Sequence, residues 1–389
     1  MRKFHKLLHG ASAFYQAIVP VPEQEAALRK AKNKIRDHLR SRIETASKTA
    51  LGMEKAVAPR FRTQGSWAYR ACIQPAQVPP QEMDWDYGVY LPVEAWEETG
   101  TPRVAASAYF NLVETFLSEL CEKEKWSLGK EKNHCIRVHV GDHAHVDIAL
   151  YAAPAEQFIR VSDREIERAE KVVVAMDSAT ASLEQLNEAS EISIEQDWDD
   201  FDGMMIATRK GMWEPSDAEA IARWFRDQLS IHGEQLQRIW RYLKAWRDFQ
   251  WNEGGPSSVL LMLVASRHFD KQFGRDDKAL AHVAQFLPQA LGEDYFEEGI
   301  DEEHDFNRLN AKGRTDAQVR ATHLVNTLRE SLSNVIQPRD AVITALRGQL
   351  GQRIPNREAD VEHDSPADQV RETPARQVVP PVVNSSYAG

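Results

Sequence analysis

The sequence predicts an α+β protein in which a mixed-sheet lobe is followed by a helical lobe, entered through a long N-terminal helix. Three observations carry that prediction. Ala, Leu and Ile recur at helical spacing from Val21 to Met53, through Ile35, Leu39 and Ile43. Between Arg60 and Ala152 the texture changes to short alternating segments broken by Gly and Pro. Beyond Ser216 almost every segment has a helical period.

Taken in order, Glu and Gln open the first helix, and Lys32, Arg36 and Arg40 lie four residues apart on one of its faces. A solvated basic stripe is favoured for these three over an anion-binding ladder. Asp86–Leu91, Ile136–Val140 and His145–Tyr151 have the alternation and β-branched content of strands, with a helix over Val104–Glu122 between the first two. The polar, acidic stretch Ser182–Asp202 reads as loop or weakly ordered insert. Helices follow over Ser216–Leu229, where Ser-Asp-x-Glu has the capping pattern, then Gly233–Phe249 and Ser257–His268. Further periods cover Asp276–Phe286, Thr315–Ser333 and Pro338–Leu350. From Pro355 the chain is rich in Pro, Asp, Glu, Val, Arg and Ser without periodicity, as a disordered tail is. The expected division is an N-terminal region with its helix (1–55), an α/β lobe (56–213), a helical lobe (214–354) and the tail (355–389).

Bulk properties narrow the function. The 389 residues are 42% hydrophobic and 28% charged, ordinary for a globular protein able to bury a large core. No stretch approaches the roughly 20 apolar residues that a membrane span requires, and the N-terminus lacks a secretory signal's apolar run and cleavage site. Three widely spaced cysteines, Cys72, Cys121 and Cys135, fit reduced thiols and a cytoplasmic location, with no zinc-ligand spacing among them. The net charge of −11 argues against a nucleic-acid partner, so any phosphate chemistry has to use a locally positive site.

Such a site is written in the carboxylates. Asp84 and Asp86 stand two apart at the start of an apolar strand, so both project from one face and repel unless a cation lies between them. Mg²⁺ suits that position because it takes oxygen ligands and is readily shared with substrate phosphates; Mn²⁺ is the alternative. Asp147, on the strand His145–Tyr151, supplies a third carboxylate. Three acids permit two ions, one lowering the pKa of an attacking hydroxyl and one holding a triphosphate and its leaving group. Asp147 is then the general-base candidate. Ahead of them, Gly65-Ser66 offers backbone N–H groups and a hydroxyl to a phosphate. Tyr69 and Trp67, just after this turn, are candidates for stacking on a nucleobase, with one in the core and one lining the pocket the favoured reading. Ser257 and Ser258 open a helix after Gly254-Gly255-Pro256, where capping and phosphate binding can coexist. His143 and His145 flank Asp147 but, lacking third and fourth ligands nearby, read as ordinary strand histidines.

The Gly-Ser, Asp-x-Asp, Asp series resembles that of the polymerase-β-like nucleotidyltransferases, and more narrowly the cGAS/DncV-like nucleotidyltransferases. The resemblance rests on Pro59–Ser66, Gln81–Asp86, Trp213–Asp217, Leu243–Trp251 and Gly254–Ser258, and it runs from about Val21 to Ile300. It implies a polymerase-β-like sheet lobe packed on a helical lobe, with Asp84, Asp86 and Asp147 as metal ligands. It implies Gln64, Ser66, Lys244 and Ser258 as contacts to the donor triphosphate, Arg137 as the basic residue upstream of the third acid, and Asp301 as a base-contacting acid. A point cation such as Lys244 on a helix beside the glycine-rich turn is chemically apt for balancing triphosphate charge. The implied activity is a cyclic dinucleotide synthase of antiphage (CBASS) signalling, joining ATP and GTP into 3′,3′-cyclic GMP–AMP. The alternatives are cyclic di-AMP, another cyclic oligonucleotide, or transfer to RNA, a small molecule or a protein. A downstream effector activated by the product is implied as well. So is an E1/E2 conjugation partner acting on the C-terminal Gly389, although an uninvolved tail fits the sequence equally. Arg62 and Trp85 depart from the residue types expected at their positions, a difference that bears on base choice.

Overall fold

A computed structural model describes residues 1–53, 55–92, 102–154, 158, 203–216, 218–300 and 303–365. The expected insert Ser182–Asp202, together with Asp301 and Gly389, lies outside them.

Helix α3 (Pro22–Ala50) follows β1 (Arg2–Lys3), α1 (His5–Leu8) and α2 (Phe14–Ile18). The sheet lobe then runs β2 (Arg60–Thr63), α4 (Gly65–Ala68), β3 (Met83–Pro92), α5 (Pro102–Glu124), β4 (Ser127–Leu128), β5 (Ile136–Gly141), β6 (Ala144–Ala153), β7 (Met205–Ala207) and β8 (Trp213–Pro215). Its sheet has the order β2-β3-β6-β5-β4, with β7 pairing to β6 and β8 to β7. Among the described residues only β3 and β6 run parallel; the other pairs of this sheet are antiparallel. That single parallel contact is what brings the starts of two distant strands side by side.

Strand β3 shows why the sheet has two chemistries. Met83, Trp85, Tyr87, Val89 and Leu91 alternate into a core shared with Leu28, Ile35, Leu39 and Ile43 of α3 and with Tyr109, Phe110 and Leu117 of α5. The intervening residues, Asp84 and Asp86 among them, face the other way. On this core side lies the basic stripe of α3, which the structure corrects. Lys32 is buried at 2% exposure, its ammonium 5.3 Å from the Trp85 ring and 5.4 Å from that of Tyr87. Arg40 stacks over Phe61 and Arg36 pairs with Asp37. Lys32 therefore seats on aromatic faces rather than in open water, while Arg40 stays exposed with its guanidinium over Phe61.

The helical lobe comprises α6 (Ala218–His232), α7 (Glu234–Gln250), α8 (Ser258–Arg267), α9 (Asp276–Ala284), α10 (Leu287–Gly292), α11 (Ala311–Ser333) and α12 (Arg339–Leu350). Trp240 and Trp246 of α7 and the wholly apolar run Leu260–Ala265 of α8 are fully buried at its centre.

Two boundaries differ from the sequence reading. The first 20 residues do not stay with α3: Phe4, Leu7, Leu8, Phe14 and Ile18 belong to the helical core. Residues 355–365, expected to belong to the tail, are folded. Glu362–His363 forms β9 and pairs with β1, and Val361 is buried. The reason is a buried ionic knot that composition does not reveal. The Arg275 guanidinium donates to Asp277, to Asp364 and to the Arg2 carbonyl, tying the segments around Arg2 and Asp364 to α9. Residues 366–389 of the expected tail lie outside the described set.

Candidate active site

The parallel pairing sets Asp86 opposite Asp147 and Asp84 opposite His145. Across the antiparallel pair with β5, Arg137 faces Asp147 and His139 faces His145. Two rows of three side chains, Asp86–Asp147–Arg137 and Asp84–His145–His139, therefore share one face of the sheet. The three acids predicted from the sequence come together here, from strands about 60 residues apart in the chain.

Their environments are unequal. Arg137 grips Asp147 with two bonds of 2.7 Å, Nε to Oδ1 and Nη2 to Oδ2, and Lys132 Nζ lies 3.0 Å from Oδ2. Burial pushes the Asp147 carboxyl up, but the Arg137 bonds and the charges of Arg137, His145 and Lys132 overcome it and hold the group at about 2. Asp86 is moved the opposite way, first by burial and then by the neighbouring charges of Asp84 and Asp147, with Lys244 and Lys132 opposing. A carboxylate under that pressure is relieved by a cation. Asp84 Oδ1 is shut off from solvent without a well-aligned hydrogen bond, and an oxygen of Asp84, a ring nitrogen of His145 and an oxygen of Asp147 lie within 4.8 Å of one another. Asp84, His145 and Asp147 thus form a cluster that could hold a divalent cation, with Asp86 on the same face in register with Asp147.

Gly65 is required by its neighbour as much as by any ligand. Its φ is +59°, and a Cβ there would lie 1.8 Å from Asp86 Oδ2. The turn and the acid are thus interlocked, with Ser66 half-buried on the first turn of α4 beside them. The side chain of Gln64 points elsewhere: its amide donates to the Tyr90 hydroxyl at 2.6 Å and its oxygen accepts from Tyr151 at 3.2 Å. Tyr90 continues the chain to Glu219 of α6, which lies 2.7 Å from Arg62 in a pair almost fully buried between the lobes. So Gln64 supports the turn from below, and Arg62, read as a departure bearing on base choice, joins sheet to helices.

From the helical lobe, Lys244 of α7 comes to the loop after α4, where its ammonium donates to the Ala71 carbonyl at 2.7 Å. Burial pushes its pKa down, and its charge is among those stabilising ionised Asp86. Ser257 caps α8, accepting from the Leu260 N–H, and Ser258 opens the helix behind it. Tyr69 packs on Phe225 in the helical core at 5% exposure, so it is the core member of its pair. Trp67 stacks on Trp85 with ring centroids 4.5 Å apart. It lines a cavity of about 580 Å³ with Arg29, Arg70 and Arg241, on the Trp85 face of β3 and away from the carboxylates.

His145 is more than the ordinary strand histidine its sequence context suggests. Its Nδ1 is 2.7 Å from Glu82 and its Nε2 is 3.0 Å from Asp84 Oδ1, so it sits within the acid cluster. Glu82, two residues ahead of Asp84, was the available signal; its partners on β5 and β6 depend on cross-strand register, which the sequence does not print.

The family model for the nucleotidyltransferase domain of cyclic GMP-AMP synthase DncV-like proteins matches residues 59–151, and that for the cyclic GMP-AMP synthase C-terminal domain matches 233–363. Together they span more than half of the chain. A cyclic GMP-AMP synthase of Escherichia coli (strain TW11681) is 28% identical over 338 residues, 84% of this chain and 75% of that protein. One from Vibrio cholerae serotype O1 is 32% identical over 241 residues, 60% of this chain and 51% of that protein. The crystal structure of Vibrio cholerae DncV cyclic AMP-GMP synthase superposes with a TM-score of 0.74 at 20% identity, covering 94% of this chain and all of that one. The same enzyme in complex with the linear intermediate 5′ pppA(3′,5′)pG superposes at 0.71, with 21% identity and coverage of 94% and 99%.

Sheet, carboxylates and Gly-Ser turn define a polymerase-β-like nucleotidyltransferase. The chain belongs to the cGAS/DncV-like nucleotidyltransferases, a family whose members use divalent metals.

Proposed function

We propose that this enzyme joins ATP and GTP into 3′,3′-cyclic GMP–AMP by two successive nucleotidyl transfers, each releasing pyrophosphate. The observation that carries the reading is the in-register pairing of Asp86 with Asp147, with Asp84 on the same face. Its support beyond geometry is that relatives are named cyclic GMP-AMP synthase, and that Vibrio cholerae DncV has been solved with a linear pppApG intermediate and with nonhydrolyzable GTP.

Asp84, Asp86 and Asp147 are the residues that would hold Mg²⁺, and the bound cations would supply charge neutralisation on the triphosphate and acidify the acceptor hydroxyl. The rest falls to the chain. Asp147 is the group assigned to accept the acceptor's proton; its pairing with Arg137 keeps it ionised and ready to ligate a cation, and that pairing has to loosen for it to act as a base. The Gly65–Ser66 turn offers N–H and hydroxyl donors to the donor nucleotide's phosphates, and Lys244, from the helical lobe, places a cation near Asp86. Catalysis is then mostly positioning, with the acceptor ribose hydroxyl aimed at the α-phosphate. After the first transfer the linear product turns round, and the second ribose hydroxyl closes the ring. We extend the reading to antiphage signalling, with a downstream effector responding to the product and conjugation at Gly389.

The test is incubation with Mg²⁺ and labelled ATP, GTP, CTP and UTP, singly and in pairs, followed by phosphatase and nuclease digestion and chromatography. A phosphatase-resistant product from ATP plus GTP alone, lost in Asp84→Ala with Asp86→Ala, is the expected result. Unchanged synthesis in that double variant rules out the site, and a requirement for an added acceptor rules out the cyclase.

A further inference from the structure

We infer that Glu82, His139 and His145 form a binding site for a transition-metal ion of the Zn²⁺ class, adjoining the aspartate cluster through the other nitrogen of His145. Three parts of the fold converge to make it. His139 on β5 and His145 on β6 face each other in register, and Glu82 enters from the segment leading into β3. Glu82 Oε2 lies 2.7 Å from His145 Nδ1 and 3.0 Å from His139 Nδ1, and one ligand atom from each residue lies within 4.8 Å of both others.

Two imidazole nitrogens and one carboxylate oxygen are the donor set of an open Zn²⁺ site, in which solvent takes the fourth position. Metal–ligand bonds of about 2.0–2.1 Å put the donors of a tetrahedral ion about 3.3 Å apart, so the two Glu82 contacts, at 3.0 and 2.7 Å, would lengthen slightly on binding. Mg²⁺ does not compete for these ligands, because it takes oxygen and resists dehydration, whereas imidazole favours the later divalent ions. A second observation points the same way. His145 is 5% exposed, and its other nitrogen, Nε2, lies 3.0 Å from Asp84 Oδ1 without an aligned hydrogen bond, so the carboxylate acts on the ring through its charge. Negative charge behind the far nitrogen of a ligating histidine strengthens the near nitrogen as a donor to the ion. A structural role alone would need one imidazole on Glu82; here two aim the same atom, Nδ1, at one carboxylate. His139 and Glu82 remain partly exposed, so an ion has an entry path.

The test is titration of the full chain with Co²⁺ under excess Mg²⁺, which keeps the aspartate site filled. One equivalent giving the intense visible absorption of a four-coordinate, nitrogen-ligated ion, displaced by Zn²⁺, is expected. His139→Ala and Glu82→Gln each weaken Co²⁺ binding by at least about 10-fold, while Asp86→Asn leaves it in place. His139→Asn provides a second probe if the alanine variant does not fold, judged by its melting curve in Mg²⁺. Absence of Co²⁺ binding, a weak spectrum typical of six oxygen ligands, or binding that survives His139→Ala and Glu82→Gln overturns the assignment. So does binding that is lost in Asp86→Asn. None of these outcomes depends on which nucleotides the enzyme uses.

Discussion

Replacing Gly65 by alanine is the most direct probe of how the turn and the acids are coupled. The new Cβ would stand 1.8 Å from Asp86 Oδ2, where real Cβ contacts do not fall below 3.0 Å. The carboxylate therefore has to retreat by roughly 1 Å, a displacement that by itself can cost about 100-fold in rate when a reacting group is misplaced. Backbone strain adds to this, because φ at Gly65 is +59° and an L side chain there costs roughly 1–2 kcal/mol. The two effects separate in measurement. Pyrophosphate release under saturating nucleotide and Mg²⁺ reports the first and is expected to fall at least about 100-fold. The melting temperature reports the second, and for a chain of this size roughly 1–2 kcal/mol corresponds to a loss of only a few degrees. A Gly65→Ala enzyme that keeps its rate within about threefold, which is under 1 kcal/mol of barrier, would refute the interlock.

Other perturbations test the same framework. Lys244→Met removes the buried cation near Asp86 and should lower the rate about 100-fold, while the melting temperature falls by a few degrees as the Ala71 carbonyl loses its donor; an unchanged rate in the folded variant would make Lys244 structural. Breaking the buried pair between the lobes by Glu219→Gln should cost about 3–5 kcal/mol in denaturant unfolding, while Arg62→Met with Glu219→Leu should recover part of that loss; a double variant worse than the sum of the singles contradicts a pairwise role. Asp276 is fully buried, and burial alone would raise its carboxyl, but the Arg238 pair, Gln235 and His5 carry it below its ordinary value. A depressed folded-state pKa contributes stability above the unfolded carboxylate's pKa and loses it as pH falls through the lower folded value. Asp276→Asn should therefore flatten the acid side of the stability curve, and an unchanged acid limb across the carboxylate range would count against the pair.

Much of this was legible in the amino-acid order because local physics sufficed. The alternation in Met83–Leu91 tells that one face is apolar and the other carries Asp84 and Asp86, since neighbouring strand residues point oppositely whatever the fold. The helical periods of α3, α7 and α8 are likewise local, and their expected bounds fall within a few residues of those observed. What was illegible involved partners distant in the chain. Gln64 reads as a phosphate contact next to Gly-Ser, yet Tyr90 and Tyr151 claim its amide. Lys32 reads as surface charge, yet Trp85 and Tyr87 lie under it. The segment after Pro355 has a tail's composition, yet Asp364 pairs with Arg275 and Glu362–His363 adds a strand to Arg2–Lys3.

Residue type and spacing alone determined the class of chemistry: a glycine turn, two acids one pleat apart and a third acid on another strand specify carboxylates that demand cations. Tertiary structure alone decided which strand edges meet. The parallel register of β3 with β6 places Asp86 beside Asp147, and the β5–β6 register gives Asp147 its arginine and His145 its second histidine. The division has a plain cause: side-chain direction along a strand follows from backbone geometry, whereas strand pairing is chosen by the whole core that the strands must bury together.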